Sequence, residues 1–76
     1  MTKIDEKLNK EFQKDSLAHT KHPIKEVYEN GELARIYYCA NTLTININEQ
    51  TIDLYGTLNL KEIKLLYEKF KELGWL

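Results

Sequence analysis

The last third of the chain punctuates one helix at both ends, and no other stretch constrains the fold as tightly. Asn59 is a favoured N-cap residue, its side-chain oxygen placed to accept an orphan N–H of the first turn. Glu62, three residues on, completes a variant of the capping box, and Leu58 and Ile63 have the spacing of a hydrophobic staple. Gly74 is placed to adopt the left-handed C′ conformation, which brings Trp75 against Phe70. Between the caps, Ile63, Leu66, Tyr67, Phe70 and Leu73 recur at helical spacing and are expected to face the core. Lys61, Lys64, Lys69 and Lys71 with Glu62, Glu68 and Glu72 read as the solvated side, with Lys64–Glu68 and Glu68–Lys71 within reach of one another.

Upstream the period changes from helical to alternating. Residues 24–29 and 32–39 flank Asn30-Gly31, the strongest short signal for a tight hairpin turn. That turn pairs Tyr28 with Leu33, Val27 with Ala34, Glu26 with Arg35 and Ile24 with Tyr37. In a second hairpin Leu43, Ile45 and Ile47 alternate with Thr42, Thr44 and Asn46, and Ile52 and Leu54 alternate with Asp53 and Tyr55. Pairing Ile47 with Ile52 and Ile45 with Leu54 makes one apolar face, joined by Tyr38, Ile36, Ala34 and Val27 if Tyr38 meets Leu43.

Residues 2–14 read as a further helix, capped by Thr2 with Asp5 three residues later and carrying a thin stripe of Ile4, Leu8 and Phe12. Residues 15–23 have no period, and Pro23 ends any helix before His22. The expected fold is therefore one small α+β domain over 1–76, ordered α-β-β-β-β-α. It is a four-stranded antiparallel meander with the C-terminal amphipathic helix on one face. The N-terminal helix is expected on the surface, on a partner, or over the second sheet face.

Composition narrows the function. The chain has 76 residues, 42% hydrophobic and 11% aromatic, in the globular rather than the disordered range. The formal net charge is −1, without the basic excess that a dedicated nucleic-acid binder uses to neutralise phosphates. A single cysteine, Cys39, excludes an intrachain disulfide and suits a reducing interior. No run approaches the ~20 apolar residues that span a bilayer, and residues 1–14 lack the layout of a secretory signal. A soluble, cytoplasmic protein is expected.

Chemistry-bearing clusters are few. His19 and His22 beside Asp15 lack the further ligands that a metal site needs. Asp15, Ser16 and His19 have the contents of a hydrolase triad without a rigid frame. Asn46, Asn48, Glu49 and Asp53 lack the spacing and the glycine of a calcium loop, and read as turn polarity. Cys39 has no cation beside it to favour a thiolate, and reads as a small apolar residue. Neither catalysis nor a cofactor nor a metal is expected.

The tyrosines carry the functional expectation. In the register above, Tyr28, Leu33, Tyr37 and Tyr55 share the sheet face opposite the helix, together with Arg35. Aromatics with arginine on an otherwise polar surface are the usual make-up of a protein-binding patch. The edge strand over 24–29 offers a second route to a partner. The chain is expected to be a non-catalytic protein-binding module, an inhibitor, regulator or adaptor of a larger enzyme or complex, with homodimerisation the simplest version. The competing expectation is a single-stranded nucleic-acid binder stacking bases on Tyr28, Tyr37 and Tyr55. In size and composition the chain resembles the small accessory proteins that phages and mobile elements of AT-rich bacteria encode.

Overall fold

A computed structural model describes residues 2–14 and 23–76. Helix α1 spans Lys3–Lys14, strands β1 to β4 span Lys25–Glu29, Glu32–Tyr38, Leu43–Asn46 and Thr51–Leu54, and helix α2 spans Leu60–Glu72. The strands form one antiparallel sheet in the order β1-β2-β3-β4, so the expected meander holds. The histidines and the Asp15-Ser16 pair lie outside the described residues.

Both helices lie on the same face of the sheet. Leu8 and Phe12 of α1, and Leu66 of α2, form one buried cluster with Ile36, Tyr38, Cys39, Leu43 and Ile45. Helix α1 is the inner of the two: it packs against β2, and α2 packs mainly against α1. The thin stripe of α1 therefore serves as a principal core element, and it does not cover the second sheet face. Polar contacts at the start and in the middle of α1 supplement its three apolar side chains. Thr2 Oγ1 accepts from the Asp5 N–H at 3.3 Å while Asp5 Oδ2 accepts from the Thr2 N–H at 3.2 Å, a capping box closing the first turn. Asn9 Oδ1 accepts the Cys39 N–H at 2.7 Å and so ties the middle of α1 to the β2–β3 turn, where Cys39 and Ala40 are left-handed, with φ of 47° and 57°.

The β1–β2 hairpin departs from its expected register. Tyr28 pairs with Leu33 and Glu29 with Glu32, as the tight turn dictates, but Val27 pairs with Arg35, Glu26 with Ile36 and Lys25 with Tyr37. A bulge at this point inserts Ala34 as an extra residue on β2, and both Leu33 and Ala34 pack toward the core. Two adjacent apolar residues cannot both face inward on a regular strand, so the bulge resolves that conflict. Its consequence is that Val27 leaves the apolar face and Glu26 joins it.

The β3–β4 hairpin is offset by two residues from expectation: Ile45 pairs with Ile52 and Leu43 with Leu54. A two-residue offset preserves the face of every side chain, so the core is unchanged. Ile47 moves into the turn, where its N–H donates to the Ala34 carbonyl at 2.9 Å and the left-handed Gln50 (φ 54°) closes the loop.

The caps of α2 follow the sequence closely. Asn59 Oδ1 accepts from the Glu62 N–H at 2.8 Å, and Glu62 Oε1 accepts from the Asn59 N–H at 2.9 Å. At the other end Gly74 has φ +80°, the Trp75 N–H donates to the Phe70 carbonyl and the Gly74 N–H to the Lys71 carbonyl, a complete Schellman motif. The Trp75 ring stacks on Phe70 with centroids 5.1 Å apart.

What differs is the face that α2 buries. Glu62 and Lys69 are 1% and 4% exposed, while Ile63 and Tyr67 are 47% and 52% exposed. The helix is rolled toward α1 because Lys69 has a buried partner there. Lys69 Nζ lies 2.9 Å from Asp5 Oδ1 and 3.2 Å from Glu72 Oε2, and the Tyr38 hydroxyl donates to the same Asp5 oxygen. An ion pair within the helix layer thus orients α2, overriding the apolar periodicity.

Candidate binding surfaces

The bulge separates Tyr28 and Leu33 from the other side chains expected to form one patch. Arg35 and Tyr37 remain on the sheet face away from the helices, with Lys25 and Val27 on the adjacent strand. Tyr28 pairs with Leu33, which packs against the core, and cross-strand pairs share a face. Tyr28 is exposed there, its hydroxyl donating to Glu26 Oε2 at 2.6 Å, and that hydrogen bond, followed by the Glu26 charge, raises the phenol above its ordinary pKa. Tyr55 follows β4 at the opposite end of the sheet, its N–H donating to the Thr42 carbonyl, and its side chain is exposed.

No described element covers the outer sheet face, and its polar groups are largely engaged with one another. Arg35 lies 3.7 Å from Glu29. Its interaction with Tyr37, and after that the carboxylates of Glu29 and Glu49, hold the guanidinium above its ordinary pKa. Asn46 Nδ2 donates to Thr51 Oγ1 at 3.2 Å and to Asp53 Oδ2 at 3.1 Å, so the Asp53 carboxylate is tied to an amide across the β3–β4 hairpin. Thr44, between Tyr37 and Asp53, is buried by its neighbours. The result is a satisfied polar surface with Tyr37 and Val27 half-buried in its midst.

The larger apolar surface lies on α2. Leu60, Ile63 and Tyr67, at i, i+3 and i+7, all stay exposed, and Lys71 Nζ sits 5.2 Å from the Tyr67 ring centroid. Periodicity marked Ile63 and Tyr67 in the sequence as core together with Leu66, Phe70 and Leu73, and only the last three pack there. The signal that Ile63 and Tyr67 are outside was the competing stripe of Asp5, Glu62 and Lys69, which reads as ordinary surface charge until the two helices are placed side by side.

The buried network is structural chemistry. Burial alone would raise the Asp5 carboxyl. The hydrogen bonds from Tyr38, Lys69 and the Thr2 N–H, with the Lys69 charge, outweigh burial and hold it below its ordinary pKa. Burial, and then the hydrogen bond to Asp5 and its charge, push the Tyr38 phenol far above its ordinary value. Donors and acceptors here engage one another. Cys39 is buried, a packing residue of the same core. Among the described residues, no three His, Cys, Asp or Glu side chains gather as a metal site, and no helix is long and apolar enough to cross a membrane.

Comparison with protein-family models, with curated proteins and with solved structures finds no match.

Proposed function

We propose that this chain is a non-catalytic protein-binding module that acts by occupying a surface of a larger enzyme or complex, as an inhibitor, regulator or adaptor. One observation supports the reading above the others: Leu60, Ile63 and Tyr67 form an apolar stripe on the outside of α2, while Glu62 and Lys69 of the same helix are turned inward. Small soluble domains rarely expose apolar side chains in a contiguous row, and such rows are commonly partner-binding surfaces. An amphipathic helix presenting i, i+3, i+7 anchors matches helix-in-groove recognition.

The outer sheet face around Arg35 and Tyr37 is the second surface of the same reading. Strand addition at β1 is disfavoured, because Lys25, Glu26 and Glu29 place charges along that short edge. Nucleic-acid stacking finds less support: Arg35 is engaged by Glu29 and Glu49, and the three tyrosines do not share one groove. The simplest partner is a second copy, since an isologous contact needs only one self-complementary stripe. A single buried cysteine suits work in the cytoplasm.

The test is a pull-down from native extract with sedimentation of the pure protein, each with Ile63→Glu and Tyr37→Ala. Loss of binding or self-association in Ile63→Glu alone assigns the α2 stripe, and loss in Tyr37→Ala alone assigns the sheet face. Binding unchanged in both removes the two surfaces, and the reading with them.

A further inference from the structure

We infer that the mouth between the β4–α2 loop and α1 is a binding site for a primary ammonium group, with the Glu62 carboxylate as its counter-charge. Glu62 is 1% exposed. Its Oε1 closes the capping box, but its buried Oε2 has no hydrogen-bond partner among the described residues. A cleft of about 520 Å³ lies against it, walled by Phe12, Tyr55 and Leu58 and edged by Thr42 and Asn59.

A buried carboxylate oxygen without a donor is unfavourable, and a cation that also donates hydrogen bonds relieves both deficits. Only one oxygen is free, so a compact point donor fits better than the two-pronged guanidinium fork. The apolar and aromatic lining favours a cation with an alkyl stem, which can lie along Leu58 and Tyr55 while its head reaches the Glu62 carboxylate. The N-terminal end of α2 carries partial positive charge, but a full carboxylate charge exceeds it at this distance. The site is separate from the α2 stripe and from the Tyr37 face, and it stands whether or not those surfaces bind protein.

The chemistry has two sources, a free alkylamine or a lysine side chain presented by a protein. The experiment titrates the full isotope-labelled chain at neutral pH with n-butylammonium, n-butanol and Nα-acetyl-lysine methylamide, following backbone amide signals. Saturable shifts at Thr42, at 55–59 and in the first turn of α2 are expected with butylammonium and not with butanol. Tighter binding of the lysine amide assigns the site to a presented side chain, and weaker binding to a free amine. Glu62→Gln keeps a carbonyl for the Asn59 N–H while turning an amide donor toward the cleft, so affinity is expected to fall roughly 10-fold or more. Signals of Ile36, Leu43 and Ile45 report whether that variant is folded. Should it not fold, Tyr55→Ala decides, since it leaves the cap intact and removes an aromatic wall: weaker binding supports the site and unchanged affinity overturns it. Equal shifts with butanol, no saturation, or wild-type affinity in a folded Glu62→Gln also overturn the proposal.

Discussion

Lys69→Met should be among the most damaging single changes in α2, although the sequence presents Lys69 as a surface residue. Lys69 and Asp5 are both 5% exposed at the side chain and 2.9 Å apart. At an effective dielectric of about 20 their attraction is about 6 kcal/mol, of the same order as the cost of desolvating the two ions. The intact pair is thus close to neutral for stability. Removing the cation alone leaves the Asp5 charge buried with only Tyr38 and the Thr2 N–H to hold it. A loss of about 3–5 kcal/mol follows, a large part of what a domain this size has to lose. The double variant Asp5→Asn with Lys69→Met should recover a substantial share of that loss, because no buried charge remains uncompensated. Urea unfolding followed by fluorescence of the single Trp75, stacked on Phe70, measures both. A Lys69→Met midpoint equal to wild type, or losses that simply add in the double variant, would refute the coupling.

Thermal melting across pH should show two limbs. Asp5, held below its ordinary pKa, contributes stability above about pH 4 that is lost as pH falls through its folded value. Tyr38, held far above its ordinary pKa, contributes stability below about pH 10 that is lost as pH rises. Tyr38→Phe should flatten the alkaline limb, and an unchanged limb would remove Tyr38 as its source. Gly74→Ala should cost about 1 kcal/mol from the left-handed backbone alone, since an added Cβ meets nothing within 4 Å; an unmoved urea midpoint counts against it. Ile45→Ala, at a fully buried position paired with Ile36 and Ile52, should lose roughly 2–5 kcal/mol in the same assay.

Local signals in the sequence carried the elements, and pairwise signals between elements did not. The caps of α2, the Asn30-Gly31 turn and the alternation of β3 and β4 rest on near neighbours, so they survive into the structure. The bulge at Ala34 was hidden because Leu33 and Ala34 are both apolar and alternation permits only one of them inside. The roll of α2 was hidden for a deeper reason. Asp5 and Lys69 are 64 positions apart (69 − 5), and a lysine that pairs inside looks the same in sequence as one that solvates a surface. The same error hid Glu62, whose capping role was legible and whose burial against the cleft was not. The bulge moved Tyr28 and Leu33 off the expected sheet-face patch, and the roll of α2 left Ile63 and Tyr67 outside while Leu66, Phe70 and Leu73 still pack against the core.

Leu60, Ile63 and Tyr67 are proposed as a binding surface rather than a misplaced core. That role is tested most directly by measuring Ile63→Glu twice: the dissociation constant for the captured partner, or for self-association, and the melting temperature. Glutamate suits the first turns of a helix, so the fold should hold within about 0.5 kcal/mol of wild type. Binding should weaken by about 1–4 kcal/mol, at least several-fold. An unchanged dissociation constant, or a melting curve that collapses together with binding, would contradict the account.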